Sequence, residues 1–188
     1  FAYASSQVWV VGTGGYVYKY SDITGTPVIQ TAGTVTSQNL NAIHGCDEDN
    51  IVAVGASNAV IYTADGGDTW QSVTGPAAGV VLNTVWVKDP DTWFIGTAGG
   101  ALWYTNNAGA NWTQIRFPGD NAGQVRVIKF NDTPSQTVGW MAHDTATPAG
   151  RILRSLDGGN NWDVLPKVGT GVANDRFNDV AICNDVNI

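Results

Sequence analysis

Strand-length apolar runs, separated by Gly, Asn, Asp and Pro turns, follow one another along the whole chain. Residues 40–81 show the unit, with strands expected near 40–46, 50–56, 59–64 and 69–74. One landmark strand reads Trp9-Val-Val-Gly12, Val52-Ala-Val-Gly55, Trp93-Phe-Ile-Gly96 and Trp140-Met-Ala-His143, so the unit recurs after 43, 41 and 47 residues. An earlier strand opens three of these units as Leu40-Asn-Ala-Ile, Leu82-Asn-Thr-Val and Val125-Arg-Val-Ile, and Phe177-Asn-Asp-Val begins a further one. A fixed period of this length decides the fold class before any single motif is weighed.

A polar box recurs in phase with the strands. Tyr62-Thr-Ala-Asp-Gly-Gly-Asp-Thr-Trp70, Tyr104-Thr-Asn-Asn-Ala-Gly-Ala-Asn-Trp112 and Arg154-Ser-Leu-Asp-Gly-Gly-Asn-Asn-Trp162 share the pattern S/T-x-D-x-G-x-x-W. Its members are Thr63, Asp65, Gly67 and Trp70, then Thr105, Asn107, Gly109 and Trp112, then Ser155, Asp157, Gly159 and Trp162. Ser21-Asp-Ile-Thr-Gly25-Thr-Pro-Val28 reads as a worn fourth copy, with Ile23 for the acid and Val28 for the Trp. The box suits a tight turn between the third and fourth strands. Glycine takes positive φ there without a Cβ penalty, the acid accepts turn amides, and the Trp wedges between neighbouring sheets. Asn107 accepts through its amide oxygen, so the second box is expected to survive somewhat weakened.

Four-stranded units of this size cannot each bury both faces of their sheet, so they must stack, and radial stacking gives an all-β β-propeller of four-stranded antiparallel blades. The repeat divides the chain into a partial blade (1–39), three complete blades (40–81, 82–124, 125–176) and the first strand of another (177–188). The chain is therefore expected to be part of a larger propeller. Over nearly its whole length it resembles the Asp-box (BNR) propellers. Within that group it looks most like the repeats of the photosystem II assembly and stability factors, a pattern also found in secreted bacterial and phage virion proteins. The resemblance implies that the boxes lie at the periphery, on the face away from any ligand site.

Composition agrees with the strand reading. The chain has 188 residues, with 23 Gly, and Val outnumbers Leu 22 to 6, so strand and turn formers dominate. No apolar run approaches the roughly 18 residues a membrane helix needs. With 9 basic and 16 acidic residues the net charge is -7, which repels phosphate backbones, so nucleic acid is not an expected partner. Cys46 and Cys183 are too few for a zinc site or a disulfide framework and are expected to be free thiols. Single acids in separate turns do not supply the six or more oxygens calcium takes, so no metal and no cofactor is expected.

Sialidases and other glycoside hydrolases resemble the box pattern, and they need two facing carboxylates, with three arginines added in sialidases. Arg126 follows the first residue of its strand, but the equivalent positions hold Asn41, Asn83 and Asn178, so no triad converges from successive blades. The one glutamate, Glu48, sits in the turn Asp47-Glu48-Asp49. No catalytic residue is assigned, and the chain is not expected to be an enzyme. His44 reads as a core or channel-lining residue. Gly12-Thr-Gly-Gly15 and Thr97-Ala-Gly-Gly100 read as hairpin turns, since no Lys-Ser/Thr and no helix follow.

Departures from a repeat concentrate where function has been added. Two segments depart, His143-Asp-Thr-Ala-Thr-Pro-Ala-Gly150 and Pro166 to Arg176, both in the same blade. The candidate ligand face is accordingly His143, Asp144, Lys167, Asp175 and Arg176, against the alternative of a tolerated surface insertion. The expected function is a non-enzymatic binding or scaffold module of a secreted, cell-surface or virion-surface protein, contacting a protein partner or a glycan within a larger assembly. Two alternatives stay open. One is a sialidase-like glycoside hydrolase with catalytic residues mostly outside this stretch, and the other is an assembly factor. The basic partner face of the assembly factors has no counterpart in so acidic a chain.

Overall fold

The computed structural model describes residues 7–20, 25–30, 35–120, 122–133, 136–145, 150–166 and 176–182. Every sheet is antiparallel, and its strands follow chain order. The first holds β1 (Val8–Val11), β2 (Val17–Tyr20) and β3 (Val28–Ile29). The second holds β4 (Leu40–Gly45), β5 (Ile51–Gly55), β6 (Ala59–Thr63) and β7 (Gln71–Thr74), each bound within two residues of the strand expected from the pattern. The third holds β8 (Leu82–Val87), β9 (Thr92–Thr97), β10 (Leu102–Asn106) and β11 (Thr113–Ile115). The fourth holds β12 (Val125–Thr133), β13 (Gln136–His143), β14 (Arg151–Ser155) and β15 (Asp163–Val164). Successive sheets stack through their first strands, β4 on β8 and β8 on β12, with β1 of the first sheet against β4. This is the blade stacking of a β-propeller.

Stacking explains why the second strands are apolar at consecutive positions. Ile51 and Ala53 face the first sheet with Trp70, Val17 and Trp9, whereas Val52 and Val54 face the third with Leu82, Val85 and Trp93. A strand covered on both sides has no solvent face to mark with polar residues. The pattern repeats one sheet on, where Trp93 and Ile95 pack backward and Phe94 packs forward on Ile128, Phe130 and Trp162. Each core is shared by two neighbouring sheets.

The ladders correct the alignment of one landmark. Trp93 lies opposite Thr105 as Ile51 lies opposite Thr63, so Trp93 is the counterpart of Ile51 and not of Val52, and Gly96 is the counterpart of Val54. A one-residue slip would exchange the two faces of the strand. Likewise Tyr20 pairs with Val8 as Thr63 pairs with Ile51, which puts Tyr20, rather than Ser21, at the head of the worn box. Of the segment 177–188, expected as the first strand of a further blade, residues 177–182 carry no strand assignment and the rest lies outside the described residues.

Candidate functional site

The three box turns have one geometry. Thr63 Oγ1 donates to Asp65 Oδ1 at 2.7 Å and accepts the Gly67 N–H at 2.9 Å, while Asp65 Oδ1 accepts the Thr69 N–H at 2.9 Å. Thr105, Asn107, Gly109 and Asn111 repeat these bonds at 2.8, 3.0 and 2.9 Å, and Ser155, Asp157, Gly159 and Asn161 at 2.8, 2.8 and 2.9 Å. Gly67, Gly109 and Gly159 have φ of 95°, 81° and 96°, a region closed to most side chains. Hydrogen bonds from Thr69 and Thr63 hold the Asp65 carboxyl down at about 2. Slight burial pushes Asp157 up, but bonds from Asn161 and Ser155 outweigh it and leave it below its ordinary value.

Each box tryptophan reaches a neighbouring ring or carbonyl. Trp70 meets Trp9 of the preceding sheet edge-on at 5.9 Å, Trp112 donates from Nε1 to the Thr74 carbonyl of the preceding sheet at 2.9 Å, and Trp162 meets Phe130 at 5.9 Å.

The second box departs in two places. In the other boxes the acid's second oxygen takes a side-chain donor, Thr69 Oγ1 onto Asp65 and Asn161 Nδ2 onto Asp157 at 2.7 Å. Asn107 offers an amide nitrogen there, which cannot accept from Asn111. Ala108 also holds φ 51°, where the other boxes have Gly66 and Gly158. Asn107→Asp and Ala108→Gly are each expected to stabilise the fold by about 1 kcal/mol, read as a raised urea midpoint at unchanged slope.

A second recurring feature lies on the first strand of each complete sheet. The ladder slips once in each, between Leu40 and Ala42, Leu82 and Thr84, and Val125 and Val127. The skipped residue is the bulge, and bulges re-aim a side chain. Asn41 Nδ2 thereby donates to the Leu82 carbonyl at 2.9 Å and Asn83 Nδ2 to the Val125 carbonyl at 3.3 Å, each tying one sheet to the next. In the fourth sheet the bulged residue is Arg126, and it turns instead to Asp144, with Nε at 2.7 Å and NH2 at 2.6 Å from Oδ2.

Around this pair lie the departures from the repeat. Strand-two-to-three connections and blade-to-blade connections share one end of an antiparallel blade, and the boxes occupy the other. His143 is the last residue of β13, fully buried, with Phe117 edge-on at 5.2 Å. Asp144 is 3% exposed and its Oδ1 has no hydrogen-bond partner. Both were expected on a ligand-contacting face, but their side chains are turned into the protein, because β13 continues through His143 and Asp144 pairs back onto the Gln124 backbone. Arg176 is exposed, and Lys167 and Asp175 lie outside the described residues.

Sequence spacing gave no arginine group, yet Arg116, Arg126 and Arg151 come to this end of the third and fourth blades. Each has a partner: Arg116 meets Asp120 at 3.2 Å, Arg126 meets Asp144, and Arg151 donates to the Pro118 carbonyl at 3.0 Å. The bulge that redirects Arg126 leaves no trace in spacing, which is why the group was missed.

His44 serves as a junction between sheets. Its Nδ1 accepts the Val87 N–H at 3.1 Å, its ring lies 4.0 Å from that of Trp86, and burial holds its pKa down at about 4. The unfolded imidazole titrates near 6.5, so between these values the unfolded chain binds more protons. Stability is complete above pH 6.5 and falls as pH drops toward 4. The full effect is about 3 kcal/mol. His143, held low by burial and by Arg151, adds a stability contribution of the same sign, complete above pH 6.5 and lost as the pH falls. His44→Gln is expected to flatten this part of the stability–pH curve, measured by urea unfolding from neutral pH downward.

Among the described residues no group of three or more His, Cys, Asp or Glu could hold a metal ion. Cys46 is a free thiol, pushed up to about 11 by burial and by Asp47, while Cys183 lies outside the described residues. No helix among the described residues is long and apolar enough to cross a membrane.

Comparison with known proteins finds a matching family, two relatives and two similar structures. The Sortilin-Vps10 family model, described as sortilin, neurotensin receptor 3, matches residues 58–178. A xyloglucanase of Paenibacillus sp. is 29% identical over 144 residues, 61% of this chain and 14% of that protein. The photosystem II stability/assembly factor HCF136 of Arabidopsis thaliana is 28% identical over 114 residues, 58% of this chain and 26% of that protein. The matched stretches thus span 14% and 26% of these relatives. Among solved structures, YCF48 from Cyanidioschyzon merolae superposes with a TM-score of 0.62 at 18% identity, covering 87% of this chain and 53% of that one. YCF48 bound to D1 peptide superposes with a TM-score of 0.53 at 24% identity, covering 66% and 40%. These structures share the propeller fold.

Proposed function

The chain belongs to the Sortilin-Vps10 family, and we propose that it is a non-enzymatic binding or scaffold propeller of Asp-box type whose partner meets the connection end of the fourth blade. One observation carries this reading. The box end of the blades is built three times to the same hydrogen-bond plan, whereas the Arg126–Asp144 pair, the 143–150 connection and the segment to Arg176 all break the repeat at the opposite end of one blade. Two ligand classes suit the relatives' printed names, a peptide, from the YCF48 structure with D1 peptide, and a β-glucan, from the xyloglucanase. Peptide is the reading preferred here. Asp144 is closed off against Arg126 and does not face an open cleft as a sugar-cleaving carboxylate would.

The experiment is calorimetric titration of the chain with a panel of extended peptides and with xyloglucan oligosaccharides, alongside an assay for reducing ends. Peptide binding that weakens in Arg176→Ala, without turnover of either class, supports the reading. Release of reducing ends overturns the non-enzymatic part of it.

A further inference from the structure

The fourth residue of each box, Gly66, Ala108 or Gly158, stands where the turn meets the sheet before it. The backbone is held alike in the first two, with the Gly66 N–H on the Asp49 carbonyl at 3.1 Å and the Ala108 N–H on the Asp91 carbonyl at 3.0 Å. At two of the three turns the preceding sheet lays a lysine ammonium beside this residue. Lys19 on β2 donates from Nζ to the Gly66 carbonyl at 2.7 Å and lies 5.0 Å from the centre of the Trp9 ring. Lys88, just past β8, brings its Nζ within 3.7 Å of the point that a Cβ on Gly158 would occupy, against 3.6 Å for Lys19 and Gly66.

The second blade has no such cation to give. Residues 40–81 contain no Lys or Arg, against the acids Asp47, Glu48, Asp49, Asp65 and Asp68. By the ladders Tyr62 stands in the place of Lys19 and Cys46 in that of Lys88. Between the second and third sheets, beside Ala108, there is instead a cavity of about 130 Å³. Tyr62 and Trp93, whose ring centres are 5.5 Å apart, line it together with Asp91, its one charged lining residue. Asp91 is the counterpart of Asp49, whose Oδ1 lies 3.2 Å from the Cβ position on Gly66, so a carboxylate accompanies the ammonium at the first box as well. Aromatic faces and a carboxylate around one small space are the features that attract an alkylammonium group out of water.

We propose that this cavity binds a lysine side chain of a protein partner, with the ammonium held by the Tyr62 and Trp93 rings, Asp91 and the Ala108 carbonyl. The molecule uses the same chemistry on itself at Lys19 and at Lys88, and both resident cations are ammonium groups, which sets lysine ahead of arginine. The Ala108 Cβ fills the point left open beside the two glycines, so the incoming ammonium sits farther out, toward the rings and Asp91. A basic protein is the source because the chain carries a net charge of -7 and the blade that lacks a cation is acidic throughout, which draws and orients a positively charged partner. The site lies at the box end of the blades, opposite the connection end assigned above, and the inference is independent of that assignment.

The test is NMR of the whole chain titrated with a short Gly/Ser peptide carrying one central lysine, and with the same peptide carrying acetyl-lysine or norleucine there. The expected result is a saturable shift of the Ala108 amide and Trp93 indole signals by the lysine peptide, with a Kd of about 1–10 mM, weakened by salt and about tenfold weaker for the two uncharged peptides. Asp91→Asn is expected to weaken binding about three- to fivefold. Cys46→Lys gives the second blade the ammonium that the third has in Lys88, and is expected to abolish binding with the rest of the spectrum kept. Asp91 is exposed, so its variant decides the matter if Cys46→Lys does not fold. Equal binding of all three peptides would mean an apolar pocket, and shifts with xyloglucan oligosaccharides but not with lysine would mean a sugar site. Either result overturns the proposal, as does undiminished binding in Cys46→Lys. Shifts confined to the Arg176 signals would overturn it too, while leaving the connection-end reading intact.

Discussion

Replacing Trp93 with alanine is expected to destabilise the chain by about 3–5 kcal/mol, the range for a buried tryptophan truncated in a core that cannot collapse. Trp93 is 1% exposed and stands between two sheets, with the Tyr62 ring at 5.5 Å and the Trp112 ring at 6.4 Å. Its Nε1 donates to the Pro90 carbonyl at 2.9 Å, so truncation removes a polar contact along with the ring. Collapse is hindered because the strands on either side are fixed by their ladders. The equivalent position in the fourth sheet is Gly139, and there Phe130 and Trp162 occupy the space a Cβ would take, so the volume is supplied from the other side. Trp112, only partly buried at the rim of the same cluster, is the control: its alanine variant is expected to cost less than half as much. Equal losses would mean that the cluster is held by the box turn and not by ring burial. Urea unfolding of both variants decides.

The second large effect concerns the fourth blade. Arg126→Ala removes the partner of a carboxylate that is 3% exposed and already has one oxygen without a hydrogen bond. Breaking a fully buried pair costs about 3–5 kcal/mol, chiefly because the surviving charge is left without compensation. The Arg126 side chain is 27% exposed, so water can reach part of the vacated space, and a loss nearer 2–3 kcal/mol is expected. The double variant Arg126→Ala, Asp144→Asn separates the charge from the packing. If the cost is that of a stranded carboxylate, the second change restores more than half of it. If it is lost contact of the arginine stem, the double variant is no better than the single. Arg126→Asn tests the repeat itself, since it restores the residue found at Asn41 and Asn83 while still isolating Asp144. It is expected to behave as the alanine variant unless Asp144→Asn accompanies it.

These two sites differ in how much of them could be read from sequence. The box could be read almost entirely, because its hydroxyl, acid and glycine act within five residues of one another and each does one local task. Asn107 already marked the second copy as the altered one, although the positive φ at Ala108 was not singled out. The ladder positions were less legible. A glycine in the landmark strand invited alignment of Gly96 with Gly55, whereas the pairing partners make Thr97 the counterpart of Gly55; His143 was aligned there and the ladder agrees. Glycine marks close approach, and close approach occurs at both places: a Cβ on Gly55 would run into the Asn39 carbonyl, and one on Gly96 into Val125. His143 and Asp144 were recognised as departures, but their burial depends on Phe117, brought near by the stacking of the third blade, and on Arg126, brought across by the β12–β13 ladder and its bulge. The repeat period carried the fold class and composition the charge argument, and neither carried anything about the partner.

The stacking of each sheet on its sequence neighbours sets how the molecule comes apart. Each core joins two adjacent sheets, so the free energy is a chain of nearest-neighbour couplings, and opening propagates inward from the ends without a single global step. Amide exchange is expected to be slowest at Val52–Val54 and Phe94–Ile95, which have a sheet on both sides, and fastest in the first sheet, which among the described residues is covered on one. Capping that open sheet with another strand would slow exchange there and, through the couplings, lower the frequency of every deeper opening.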